Sequence, residues 1–139
     1  MVFEAAGAAE LFLVARLLFG GVLAFMGLNH FMNAESMAPY AEAKGLPLPK
    51  ASVYVSGGLL AVSGVLVILG AYVVVAAGAL ATFLLASAVT MHDFWAVPED
   101  QQQNEMTQFL KNVVMAGGAL VVLTLAGTAW PYSVGLSLV

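Results

Sequence analysis

The sequence predicts an all-α integral membrane protein, a four-helix bundle of antiparallel up-down spans with a short interfacial helix between spans one and two. Three observations predict it. Of 139 residues, 62% are hydrophobic and 9% charged, and the mean hydropathy is +0.97; an average soluble domain carries roughly 25% charged residues. Four apolar runs are each long enough to cross a hydrocarbon core about 30 Å thick, which takes about 20 helical residues. Only helices satisfy their own backbone polar groups in lipid, and runs this continuous are not barrel strands.

The elements follow in order. The amino terminus "MVFEAAGAAE" carries Glu4 and Glu10 where a secretory signal would carry Lys or Arg, so span one, residues 11–31, is expected to be a mature helix. The connection "NAESMAPYAEAKGLPLPK" predicts a short surface helix ending at Gly45, after which "LPLP" forbids a continuous helix into span two, residues 51–69. "GAY" around Gly70 makes a tight hairpin to span three, residues 72–91. In the second polar connection Pro98 is expected at the first position of a helix, with Glu99 and Asp100 in its first turn. Span four, residues 109–127, then continues a helix that starts in water. All 139 residues are expected to form one domain.

With four spans, both long connections share one side of the membrane, and both termini share the other with the tight turn. Lys44, Lys50 and Lys111 fall on the long-connection side and Arg16 nearer the other, so the positive-inside rule places the long loops in the cytoplasm and the termini outside. Gly20, Ala24 and Gly27 in span one, and Gly57, Ala61 and Gly64 in span two, recur at i, i+4, i+7. Small residues on one helical face let backbones approach closely, and spans one and two are expected to pack there. Eight acidic and four basic residues give a net charge of −4, which argues against nucleic acid and against a polybasic lipid-binding patch.

The chain has no cysteine, which excludes disulfides, thiolate metal sites and cysteine nucleophiles from within it. No metal-ligating set and no catalytic residue is assigned. Parity gathers Asn29, His30, His92, Asp93, Trp95, Glu105, Gln108, Lys111 and Asn112 at one interface. "HF" at His30 and "HDF" at His92 each precede a polar connection and a helix with paired glycines, which suggests equivalent depths for the two histidines. Two imidazoles there can relay protons, hydrogen-bond a quinone carbonyl or ligate a metal; the plainer reading is a satisfied interfacial histidine. Haem is disfavoured because nothing in the sequence fixes the distance between the rings. Asp93 can cap span three or orient an imidazole. Trp95 reads first as an interfacial anchor and second as an aromatic wall for a ring ligand. Lys111 is expected to pair with Glu105 or Asp93 inside the bundle, with snorkelling as the alternative. Arg16, roughly 21 Å from His30 along the helix, belongs to no common site with it and either snorkels or stacks near Trp130 and Tyr132.

The segments "ARLLFGGVLAFMGLNHF", "KGLPLPKASVYVSGGLLAVSGVLVILG", "MHDFW" and "QFLKNVVMAGGAL" cover most of the chain, and in them it resembles the DoxX family of small four-helix membrane proteins. The resemblance implies a multi-pass subunit connected with membrane redox complexes, some members being linked to thiosulfate:quinone oxidoreductase or to oxidative-stress assemblies. Ser56 stands where relatives often carry Glu, and "WPYSVGLSLV" lacks an acidic residue expected nearby, which weakens any function resting on those carboxylates.

Three functions from different classes fit these residues. A non-catalytic subunit of a quinone-linked redox assembly ranks first, with quinone as the candidate ligand and His30, His92, Asp93, Trp95, Lys111 and Asn112 as the residues facing it. A scaffold without a site and a small transporter or channel subunit follow. The expected partners are the bilayer, other membrane or peripheral redox subunits, and a second copy of the chain.

Overall fold

The computed structural model describes residues 2–138, which fold as a membrane helical bundle with no strand among the described residues. Helix α1 spans Ala8–Met32, α2 Ala34–Ala43, α3 Pro49–Leu69, α4 Val73–Met91 and α5 Glu99–Thr124, with a single 3₁₀ turn at Phe94–Ala96 before α5. All but α2 are long and apolar enough to cross a membrane. Large apolar side chains such as Phe25, Val55, Val62, Val114 and Val121 lie exposed on their outer faces. In water they would form a patch too extensive for a soluble monomer, whereas lipid is their natural solvent.

Local chemistry sets the helix ends. Gly45, at φ 78°, ends α2 with its N–H bonded to the Glu42 carbonyl while the Leu46 N–H reaches back to Ala41. Gly70 ends α3 in the same way, with bonds from Gly70 to Val67 and from Ala71 to Leu66. This doubled closure needs a left-handed residue after the last turn, which glycine supplies without a Cβ clash. Leu48 stands between two prolines in the left-handed region at φ 47°, at a cost of about 1 kcal/mol, and Pro49 then opens α3. Pro98 is not the first helical residue of α5. Its ψ of 152° keeps it outside the helix, and its carbonyl accepts the Gln101 N–H as a cap. The fourth apolar run stops at Thr124 and not at 127, because the bonds from Leu125 to Val122 and from Ala126 to Leu123 tighten and unwind the last turn.

The bundle is built from two pairs, α1 against α3 and α4 against α5, joined mainly between α3 and α4. Backbone meets backbone in the first pair. A methyl group built on Gly20 would stand 2.5 Å from the Gly64 carbonyl oxygen, and one on Gly27 would stand 2.5 Å from that of Gly57. In the second pair Ala76, Ala77, Leu80, Ala81, Leu84 and Ala88 are buried along α4, and four of them, Ala76, Leu80, Ala81 and Leu84, form one core with Ala116 and Ala119 of α5 and Leu23, Leu60 and Val67. Helix α2 lies across the end of α3 and covers a smaller cluster of Ala34, Ala41 and Val53.

At the end that holds the start of α1 and the segment after α5, Arg16 is only 1% exposed. Its guanidinium lies 5.6 Å from the Phe12 ring centroid and 5.3 Å from that of Trp130. It donates to the carbonyls of Val67 and Ile68, at the end of α3, and to those of Pro131 (2.7 Å) and Tyr132 (3.2 Å) in the tail. The last carbonyls of a helix lack intrahelical partners and carry its negative dipole end, so a cation there is doubly favoured. Arg16 therefore does not snorkel. It joins three segments of chain, and Tyr132 closes the same end by donating its hydroxyl to Glu10 at 3.1 Å.

Candidate functional site

The opposite end of the bundle holds the polar side chains. Helix α4 stops at Met91 because His92 turns out of the helical region, and the 3₁₀ turn and extended Val97 then reverse the chain into α5. That reversal sets Glu105, in the second turn of α5, against His92 at the end of α4. The imidazole Nδ1 lies 3.0 Å from Glu105 Oε2, a geometry in which Nδ1–H donates to the carboxylate. Glu105 is only 6% exposed, and its other oxygen lies 2.8 Å from the hydroxyl of Tyr40 on α2. One turn further along, at the end of α2, Lys44 forms an ion pair with Asp93 and lies 5.6 Å from the Tyr40 ring centroid.

The Tyr40 hydroxyl also lies 2.6 Å from the carbonyl oxygen of Met91. It has one proton and two acceptors, so it can donate to only one at a time. Burial of the hydroxyl end, reinforced by Glu105 and Asp93, pushes the phenol well above its ordinary range, and it stays a donor. Replacing Tyr40 with Phe keeps the ring and removes this bridge. It is expected to lower unfolding stability by about 1–2 kcal/mol, read as a fall in melting temperature in mild detergent.

Beneath this cluster a cavity of about 460 Å³ opens between the two helical pairs. Its walls are mostly apolar, with Met26, Leu60, Phe83, Leu84 and Met91 among them, and both His30 and His92 line it. His30 gives its Nδ1–H to the Met26 carbonyl one turn earlier, at 2.7 Å. Asn112, buried in α5, lines the cavity and reaches Ser87 Oγ at 3.4 Å. Ser56, where the resemblance expects Glu, lines it too and donates to its own helix at Val53.

The interface expected from parity is therefore only partly one site. His30, His92 and Asn112 share the cavity. Asp93 turns to Lys44 instead. Trp95 is 56% exposed and packs edge-on against Phe94 and Phe109, outside the cavity, so it supplies no wall for a ring ligand there. Lys111 pairs with neither Glu105 nor Asp93. Glu105 and Asn112 are seven residues apart and face inward together, which turns Lys111 out to an exposed position. Gln108 and Asn29 do not line the cavity either, and Asn29 bonds to Asn33 on the surface. Tyr40 and Lys44 do not stand out in the sequence, although their i, i+4 spacing along a short helix puts them on one face. Among the described residues, no three His, Asp or Glu side chains gather as a metal-holding group.

Comparison with known proteins agrees with this architecture. The DoxX family model matches residues 11–93, which include His30, Tyr40, Lys44, His92 and Asp93 and stop short of Glu105 and Asn112. The chain is also similar to the inner membrane protein YphA of Escherichia coli (strain K12), at 27% identity over 123 residues and 87% of each chain. No solved structure matches it.

Proposed function

We propose, from the premise that the chain belongs to the DoxX family, that this small multi-pass membrane protein is a non-catalytic subunit of a quinone-linked redox assembly and receives a quinone-class ring in the cavity between its helical pairs. The observation that carries this reading is the cavity itself: about 460 Å³, largely apolar, with His30 and His92 both in its wall. Ligand sites are characteristically apolar concavities of about 300–1,000 Å³ with a few placed polar groups. Four helices long and apolar enough to cross a membrane make lipid the route by which such a ring arrives. With no cysteine, the chain leaves thiolate-bound electron carriers to a partner subunit. In this reading the long connections, with Lys44, Lys50 and Lys111, face the cytoplasm and the termini lie outside.

Purification in mild detergent, followed by mass spectrometry of the lipid extract and of co-purifying proteins, tests it. A ring of the quinone class, oxidised or reduced, should accompany the wild type, and changing both His30 and His92 to Ala should lower its retention roughly tenfold, the worth of about one good hydrogen bond. A preparation that carries neither a quinone or hydroquinone nor a redox protein sinks the reading.

A further inference from the structure

We infer that the cavity holds its occupant by accepting hydrogen bonds from it, so that the fitting ligand is a hydroxylated ring, a hydroquinone, and not the corresponding quinone. This rests on the proposed cavity-binding function and deepens it. It follows from where the protons lie on the polar side chains that line the cavity.

Most of those side chains have already given their hydrogen to the protein. His30 spends Nδ1–H on Met26, and His92 spends its own on Glu105. The hydroxyls of Ser52, Ser56 and Thr90 donate to the carbonyls of Pro47, Val53 and Ala86 at 2.8, 2.9 and 2.8 Å. Tyr40 divides its single proton between Met91 and Glu105. What these groups still offer is lone pairs: Nε2 of each neutral imidazole and the oxygens of the hydroxyls. No buried side-chain nitrogen or oxygen among the described residues lacks a partner, so the two Nε2 atoms are not sealed inside the protein. The remaining donors are few, namely the Ser87 hydroxyl and the second amide hydrogen of Asn112, whose first reaches Ser87.

A wall so rich in acceptors discriminates by chemistry. A quinone carries only carbonyl lone pairs, for which the wall keeps donors only at Ser87 and Asn112; against the imidazoles lone pair meets lone pair and both stay unbonded in an apolar site, the costly case. A hydroquinone of the same size brings two O–H donors, one for each imidazole or for an imidazole and a hydroxyl oxygen. Its apolar remainder meets Met26, Leu60, Phe83 and Leu84. Specificity for a hydroxyl over its absence is the strongest kind a small buried site achieves, because the protein's own polar groups are left unpaired without it.

The test uses the full-length protein in nanodiscs at a pH about 2 units above the ordinary imidazole value of ~6.5. Three probes with the same short alkyl tail are titrated: a hydroquinone, its quinone, and its di-O-methyl ether. The expected result is that the hydroquinone binds at least about tenfold more tightly than either of the others, and that His30→Phe reduces the difference. His30 is the primary variant because its imidazole bonds within its own helix; His92→Phe, which removes a partner of Glu105, is judged only if the protein remains monodisperse. Equal or tighter binding of the quinone or the ether overturns the inference while leaving cavity binding intact. Binding of none of the three overturns the cavity-binding reading and this inference with it.

Discussion

Changing Gly64 to Leu is expected to abolish the folded protein. A Cβ at this position would lie 2.5 Å from the Gly20 carbonyl oxygen, 2.7 Å from the Ala24 nitrogen and 3.1 Å from the Ala24 Cα. All three are backbone atoms of α1, so no side chain can rotate to relieve the clash and the helices must separate along their length. In lipid, apolar side chains gain nothing by leaving the solvent, and helix association depends on close van der Waals packing. Separation removes that packing over the most extensive helix–helix contact in the molecule. Gly64→Ala should cost about 1–3 kcal/mol, the usual range for forcing a methyl into a packed interior, and Leu should leave no monodisperse species on gel filtration. A methyl added at Gly21 or Gly78 would meet nothing within 4 Å, and alanine at either should change stability by less than about 0.5 kcal/mol. A Gly64→Ala variant as stable as wild type in an SDS-unfolding titration would refute this account of the α1/α3 contact.

Changing Arg16 to Ala should cost roughly 3 kcal/mol, measured by thermal unfolding in detergent, and should release the tail that follows α5. The guanidinium makes its hydrogen bonds to the carbonyls of Val67, Ile68, Pro131 and Tyr132 and stacks on the rings of Phe12 and Trp130. Part of that gain is offset in the wild type by removing the charge from water, which is why the expected loss lies well below the sum of the contacts. Arg16→Lys keeps the charge but has a point ammonium where a planar fork reaches the end of α3 and the tail together, so it should recover only part of the loss. Limited proteolysis gives the second reading: cleavage around Pro131 and Tyr132 should appear in Arg16→Ala and not in wild type. Unchanged stability and an unchanged cleavage pattern would show that Trp130 and Tyr132 hold the tail without the cation.

The spans were legible because lipid demands continuous apolar helices, and the residues that bring α1 close to α3 were legible because Gly20, Ala24 and Gly27 repeat with the helical period. Which polar residues share one end of the bundle was legible, but the direction each of them faces was not. Parity tells that Lys111 and Lys44 lie at the same end; it does not tell that Lys111 points outward on α5 while Lys44 reaches Asp93. A rotation of about 100° per residue separates neighbours on a helix, and only the packing of α5 against α4 sets its origin. His30 and His92 stood out as the only two histidines, but Tyr40 did not, because it lies on a short helix that contains Pro39 and is 39% exposed. Its hydroxyl gains meaning only from Glu105, 65 residues later in the chain.

The cross-links between the two helical pairs are unequal at the two ends. At the end of the termini, the α1/α3 leaf is tied to the α4/α5 leaf covalently at Gly70 and again where Arg16 grips the tail beyond α5. At the other end, α2 belongs to the first leaf and meets the second through Tyr40 and Lys44, polar contacts that a competing hydrogen-bond partner or salt can loosen. The molecule is thus bound like a book, with a spine at one edge and a clasp at the other. The cavity lies between the leaves at the clasp. The weaker ties are thus gathered at the edge that borders the cavity, while the covalent turn and Arg16 hold the opposite edge.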